Sequence, residues 1–409
     1  MANKVVVVGA FDTKGAEYKF LIDLIQSQGI QVITVNTGVM ASTDLFPVNV
    51  EANAVAAAGG SDLDSLRKAN DRGQAITVMS QGVAKVIKEL YDKEKFDGII
   101  GMGGTAGTNV VTSAMQFLPY GLPKICISTV ASGDVSPYVG ISDIIMIPSL
   151  TDIAGINPLS MSILSNAVGA LTGMLNAPAA EASTAKRTVA ASMFGNTTPC
   201  IDACRKALNE KGYEVLVFHA TGTGGKTMEK LVEEGVVQGV LDITTTEWAD
   251  TLCGGVFDAG PTRLDAAGKA GVPHLISPGC IDMCNFGHID TIPAHYKDRL
   301  FYKWNPQVTL MRTTPEENRK IGEIFAEKAN KAKGKVAFII PLQGYSMLDS
   351  RNGKNEAQVF WNPDADRAFI EGLTSKLRSN IKVELVDANI NDPKFSARAV
   401  EMFLELMEE

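Results

Sequence analysis

Val5-Val-Val-Val-Gly-Ala-Phe-Asp-Thr-Lys14 near the N-terminus and Thr188-Val-Ala-Ala-Ser-Met-Phe-Gly-Asn-Thr-Thr-Pro199 near the middle are two versions of one motif. Each is a short apolar run that ends in a polar turn. A helical stretch follows and closes on a glycine that opens a second apolar run: Gly29-Ile-Gln-Val-Ile-Thr-Val-Asn-Thr-Gly38 in the first copy, Gly212-Tyr-Glu-Val-Leu-Val-Phe-His-Ala-Thr-Gly222 in the second. The polar residue precedes its glycine by 17 positions in one case (Asp12 to Gly29) and 16 in the other (Asn196 to Gly212). Two βαβ openings of one design imply an α/β protein with two Rossmann-like, doubly wound domains of related topology, with Gly-rich strand ends facing an interdomain cleft.

The remaining length fits that expectation. A chain of 409 residues holds two domains of ordinary size, here 1–182 and 183–409, joined through the small-residue stretch Asn176-Ala-Pro-Ala-Ala-Glu-Ala-Ser-Thr-Ala-Lys186. Hydrophobic content of 45% with 21% charged residues is that of a globular α/β protein, and 38 glycines exceed the average, as expected where strand-to-helix turns approach a ligand. A net charge of −8 without a Lys/Arg cluster argues against nucleic acid as a partner. The N-terminus lacks a signal-peptide apolar core and no apolar run reaches 18 residues, so a cytoplasmic protein without membrane contact is expected, its six cysteines mostly reduced.

Val/Ile-rich runs at 5–8, 31–35, 97–101 and 124–128 read as buried parallel strands of the first domain, with helices at 15–28, 61–90 (broken near Gly73), 105–117 and 158–175. The second domain repeats the rhythm, with strands at 188–193, 214–218, 239–243 and 273–276 and helices at 199–211, 226–235 and 262–270. Beyond it come a helix from Thr314-Pro-Glu-Glu317, a strand 335–340, a helix 363–377, a strand 381–386 and a terminal acidic helix. Residues 345–361 read as a long loop of the kind that serves as a lid or interface arm.

The chemistry should lie on the turns. Gly101-Met-Gly-Gly-Thr-Ala-Gly-Thr108 follows a strand and opens a helix, where free amides and the helix dipole hold an anion; Gly103, Gly104, Thr105, Gly107 and Thr108 are its candidate phosphate contacts, a plain tight turn being the alternative. Ala220-Thr-Gly-Thr-Gly-Gly-Lys-Thr227 resembles a P-loop with alanine at the first glycine, and Gly222, Gly224, Gly225 and Lys226 are retained as anion contacts without Walker-type hydrolysis. Asp12, Thr13 and Lys14 leave the first strand where such folds place functional groups, with helix capping as the alternative. Ser128, Ser132, Gly133 and Asp134 follow a later strand. Glu247 and Arg263 add a possible base and a substrate clamp, or else an ion pair between loops. Cys280, Cys284 and His288 could face one helical side, but Gly287 interrupts it and a fourth ligand is missing, which disfavours zinc.

Six of these segments in order, Gly9–Gly15, Gly101–Thr108, Ser128–Asp134, His219–Glu229, Thr244–Glu247 and Leu310–Glu317, resemble the Tm-1-like ATP-binding family, also called UPF0261, over nearly the whole chain. The family includes bacterial and fungal proteins and the N-terminal half of a tomato virus-resistance protein. Ala10 and Thr105 stand where that pattern more often has threonine and serine. The resemblance implies two Rossmann-like subdomains, nucleotide binding and a homodimer; it implies no reaction.

The expectation is therefore an ATP-binding protein that acts on a small acidic metabolite in the cleft, with phosphates on the 101–108 loop. Magnesium would bridge them to Asp12 or Asp134, and Asp12, Glu247 and Arg263 would be the chemical groups. A non-catalytic nucleotide sensor or partner-binding dimer, and an ATP-independent lyase or isomerase of acidic metabolites, are the alternatives.

Overall fold

Four consecutive valines, Val5 to Val8, are fully buried, and this places β1 (Lys4–Gly9) in the interior of a sheet covered on both faces. Val5 and Val7 join one apolar cluster with Leu21 and Ile163, while Val6 and Val8 join another with Val83, Ile87 and Val111. The computed structural model describes residues 3–94, 96–178, 187–351 and 354–408. It divides into two units, Met1–Glu181 and Ala182–Glu409; the expected boundary at 182/183 lies outside the described residues.

Unit 1 continues with α1 (Phe11–Ser27), β2 (Gln31–Asn36), α2 (Ala52–Ala58), α3 (Leu63–Ala69), α4 (Arg72–Glu94), β3 (Gly98–Gly103), α5 (Thr105–Gln116), β4 (Lys124–Ser128), α6 (Ser136–Val139), β5 (Ile145–Pro148) and α7 (Pro158–Asn176). Its five strands are all parallel, in the order β2-β1-β3-β4-β5. The expected helix 61–90 is two helices, because Asn70 turns left-handed (φ 48°) three residues before the expected break at Gly73. The sequence reading lacks β5 and α2, which are too short to show a period. Among the described residues, α7 is long and apolar enough over its 19 residues to cross a membrane by length and composition. Its Ile163, Leu164, Ala167, Val168 and Leu171 pack into the core of unit 1.

Unit 2 comprises β6 (Arg187–Met193), α8 (Thr198–Glu210), β7 (Tyr213–His219), α9 (Thr223–Glu233), β8 (Val240–Thr244), α10 (Glu247–Cys253), α11 (Ala266–Ala270), β9 (His274–Gly279), β10 (Met283–Phe286), β11 (Phe301–Asn305), β12 (Val308–Arg312), α12 (Pro315–Ala329), β13 (Val336–Pro341), α13 (Pro363–Lys376), β14 (Lys382–Val386) and α14 (Pro393–Glu408). The six-stranded parallel sheet runs β14-β13-β9-β8-β6-β7, which is the winding of unit 1 with one strand added. Gly29 and Gly212, aligned in the two sequence copies, both adopt positive φ (75° and 86°) to turn each first helix into its second strand.

Two differences bear on function. An antiparallel sheet in the order β10-β12-β11 follows β9, so Cys280 and Cys284 lie on a turn and a strand, away from any helical face they could share with His288. The two ends of 345–361 are anchored in unit 2, with Tyr345, Ser346, Asp349 and Phe360 fully buried, while Met347, Arg351, Lys354 to Ala357 and Val359 are exposed.

Candidate functional site

In a sheet wound β2-β1-β3, the chain leaves β1 and β3 in opposite directions, and a crevice opens at their C-terminal ends. Tyr18 of α1 bridges the crevice at its base. Its hydroxyl lies 2.9 Å from the Val8 carbonyl and 2.7 Å from that of Met102, and accepts the Met102 N–H at 2.9 Å. Burial pushes its phenol well above the ordinary range. Gly9 leaves room for the ring: a Cβ there would lie 1.8 Å from the Tyr18 oxygen. A tyrosine inside a helical pattern carries no sequence signal for this bridge.

Above it lies a cavity of about 340 Å³, walled by the β1–α1 turn, the segment after β2, α3, the start of α4 and the first turns of α5. Asp12 and Thr13 of the expected set line it, as does Gly107. Asp12 Oδ2 accepts the Met40 N–H at 2.9 Å, and Oδ1 is buried without a partner. The turn is held by Asn36, whose side-chain oxygen accepts from Phe11 (3.1 Å) and Gly38 (2.9 Å). The floor is apolar, with Leu66, Ile76, Met79 and Val110, and Arg67 and Arg72 stand at the rim. Arg67 Nε donates to the Val39 carbonyl at 2.7 Å, which fixes the segment after β2.

The glycine loop divides into two roles. A Cβ on Gly101 would meet the Val8 carbonyl at 2.5 Å and one on Gly103 the backbone of Gly107 at 2.6 Å, so these two serve close packing. Gly104 and Gly107 have open space, nothing nearer than 3.7 Å, and no side chain caps the first amides of α5. Thr105 is exposed in that turn. Thr108 and Ser128 are buried and bonded to each other at 2.6 Å, so their hydroxyls are engaged within the protein. Lys14 donates to the Ile153 carbonyl. Ser132, Gly133 and Asp134 form an exposed turn in which Asp134 accepts from the amide and hydroxyl of Ser136, bonds that hold its carboxyl below the ordinary range.

The corresponding loop of unit 2 is closed by the protein itself. Glu247 Oε1 accepts the N–H groups of Gly222 (2.8 Å) and Gly225 (3.1 Å), so a carboxylate sits at the start of α9 where a phosphate was expected. A Cβ on Gly224 would collide with the His219 carbonyl at 1.8 Å, and Lys226 is exposed. Glu247 Oε2 accepts from Arg263 Nε at 2.6 Å, and Arg263 pairs on its other side with both oxygens of Asp242 at 2.6 and 2.7 Å and with Glu229 at 3.3 Å. Every arm of the guanidinium is engaged, and it is 1% exposed. The alternative of an ion pair between loops is thus the observed one, in place of a substrate clamp. Burial pushes the Glu247 carboxyl up. Burial also acts on Asp242, but the Arg263 charge and hydrogen bonds outweigh it and hold that carboxyl far below its ordinary range.

Further along the same sheet edge, Arg312 lies 3.6 Å from Asp349 and 3.3 Å from Asp366, and Asp282 accepts from Ser346 at 2.8 Å. Burial and the nearby Asp349 charge push Asp282 up to about 7, and burial does the same to Asp250, which accepts from Asn285 at 2.7 Å. These aspartates come from segments up to 116 residues apart, Asp250 to Asp366, and no sequence spacing announces them. Among the described residues no group of three or more His, Cys, Asp or Glu side chains is placed to hold a metal ion.

Fold and site together define a two-unit α/β protein with twin doubly wound sheets and a cavity at the switch point of the first. The chain belongs to the UPF0261 family: the model described as "Uncharacterised protein family (UPF0261) N-terminal domain" matches residues 3–180, and that of the C-terminal domain matches 186–407. A UPF0261 protein of Clostridium tetani is 45% identical over 410 residues, covering all of both chains. One from Rhizobium meliloti is 43% identical over 99% of each. The tomato ToMV resistance protein Tm-1 is 38% identical over 98% of this chain, which spans 56% of the tomato protein. Among solved structures, a UDP-N-acetylglucosamine 2-epimerase aligns over 99% of this chain and 96% of its own at 10% identity and a TM-score of 0.26. The Escherichia coli ADP-heptose LPS heptosyltransferase II aligns over 99% and 98% at 8% identity and a TM-score of 0.23. Scores at that level carry no argument about chemistry.

Proposed function

We propose that unit 1 binds a nucleotide, ATP in the first instance, in the switch-point cavity. The observation that carries this reading is a cavity of about 340 Å³ that joins an apolar floor, two arginines and the uncapped amides of α5. The floor suits a base, the arginines and the helix N-terminus suit phosphates, and the volume falls within the usual range for small-molecule sites. Asp12 and Asp71 both line this wall, and the Oδ1 of Asp12 has no protein partner; magnesium carried on a phosphate is commonly held through one or two such carboxylates.

The test is thermal unfolding with ATP, ADP, NAD and phosphate, each with and without magnesium, on the wild type and on Gly104→Val. A ligand at 100 times its Kd adds about 2.7 kcal/mol, a shift of several degrees. An ATP shift that Gly104→Val removes supports the site. No shift with any nucleotide, or one that survives the substitution, refutes it.

A further inference from the structure

A second cavity, of about 710 Å³, opens in unit 2 at the end of the sheet where β9, β13 and β14 begin. Lys333 and Lys335 enter its wall from the α12–β13 connection, Arg378 from the α13–β14 connection, and Lys382 from the first position of β14. Lys382 is already neutralised by Glu384 and Glu405, each at 3.2 Å, and Glu405 is shared with Arg398 at 2.9 Å. Among the described residues no side chain pairs with the charged groups of Lys333, Lys335 or Arg378, and Lys335 is half-buried. The floor between them is apolar, with Val336, Ile381, Met402 and Leu406.

Three uncompensated cations around one concave surface repel one another, and a chain of net charge −8 has carboxylates in excess with which to neutralise them. Their grouping without such partners is what an anion site requires. An arginine fork matches a phosphate in two places, lysines add point charges, and an apolar floor accepts an organic body. We propose that this cavity binds a phosphate ester carrying two or more negative charges, at a site separate from the switch-point cavity of unit 1. Neither site depends on the other.

The experiment is calorimetric titration of the full chain with pyrophosphate, a compact multiply charged phosphate, and with citrate as a polycarboxylate of similar charge. Three variants accompany the wild type: Lys333→Gln/Lys335→Gln/Arg378→Gln together, Lys335→Glu alone, and Gly104→Val. The expected result is that pyrophosphate still binds Gly104→Val, in which the unit 1 loop is blocked, and the two unit 2 substitutions are therefore compared on that background. Both unit 2 variants, folded by circular dichroism, should then bind at least tenfold more weakly. Binding with the triple substitution within twofold of Gly104→Val, citrate binding as tight as pyrophosphate, or loss of pyrophosphate binding in Gly104→Val would each overturn the proposal.

Discussion

Replacing Glu247 with alanine removes three hydrogen bonds at once, to Gly222 at 2.8 Å, Gly225 at 3.1 Å and Arg263 at 2.6 Å. Two of them neutralise the N-terminus of α9, and the third balances a guanidinium that is 1% exposed. Breaking one side of a buried pair costs about 3–5 kcal/mol, because the remaining charge stays desolvated. Arg263 keeps Asp242, which sets the lower part of that range. A loss of about 3 kcal/mol in a unit of this size lowers the midpoint by about 9 °C. Glu247→Gln should lose less, about 2 kcal/mol, because its amide oxygen still accepts the two backbone N–H groups while its NH2 faces Arg263 donor to donor. Calorimetry and urea unfolding at neutral pH are the assays, and the transition of unit 1 serves as the internal control. Millimolar acetate or phosphate should restore part of the loss in the alanine variant, by occupying the vacated amides, and do nothing for the wild type. A change under 1 kcal/mol, or a gain in stability, would refute the view that this carboxylate is the permanent occupant of the loop and would return Glu247 to the candidates for chemistry.

Stability of unit 2 should fall as pH rises from about 4 to about 7 and then level off. Asp250 and Asp282 are pushed up to about 7, so the folded state keeps protons that the unfolded chain releases near pH 4; that contribution is complete below the unfolded value and lost as pH passes the folded one. At 1.36 kcal/mol per pH unit it reaches at most roughly 4 kcal/mol per group. Asp282→Asn should flatten the unfolding-midpoint profile, and an unchanged slope would contradict the assignment. Tyr18→Phe leaves the Val8 and Met102 backbone groups without the bridging hydroxyl and should cost unit 1 about 2 kcal/mol in urea unfolding, with no loss expected in unit 2. Gly103→Ala meets the Gly107 backbone at 2.6 Å and should destabilise unit 1, whereas Gly104→Val, with 3.7 Å to the Thr129 hydroxyl, should leave its midpoint within a degree or two. Equal effects of the two substitutions would undo the division of the loop into packing and ligand-facing glycines.

The doubled opening motif alone determined much of this molecule. A run such as Val5 to Val8, apolar on both faces, is stable only inside a covered parallel sheet, and a polar turn after it must lie at the C-terminal edge; both follow from the two-residue period of a strand. The doubly wound α/β class and its repetition in two units were legible for that reason, and the six motifs in order carried the resemblance to UPF0261. What each polar group faces was not legible. Glycines 222 and 225 have the composition of an anion loop, but whether that anion comes from a ligand or from Glu247, more than twenty residues on, depends on how α10 packs after β8. Arg263 looks equally suited to a substrate or to Asp242 until distances exist, and Lys333, Lys335 and Arg378 become one charged wall only when β13 and β14 are laid side by side. Charges and hydrogen-bonding groups act over a few ångströms in space, and spacing along a chain encodes that proximity only within a single helix or strand. The sequence therefore determined the architecture, and the tertiary structure decided which polar groups are already satisfied.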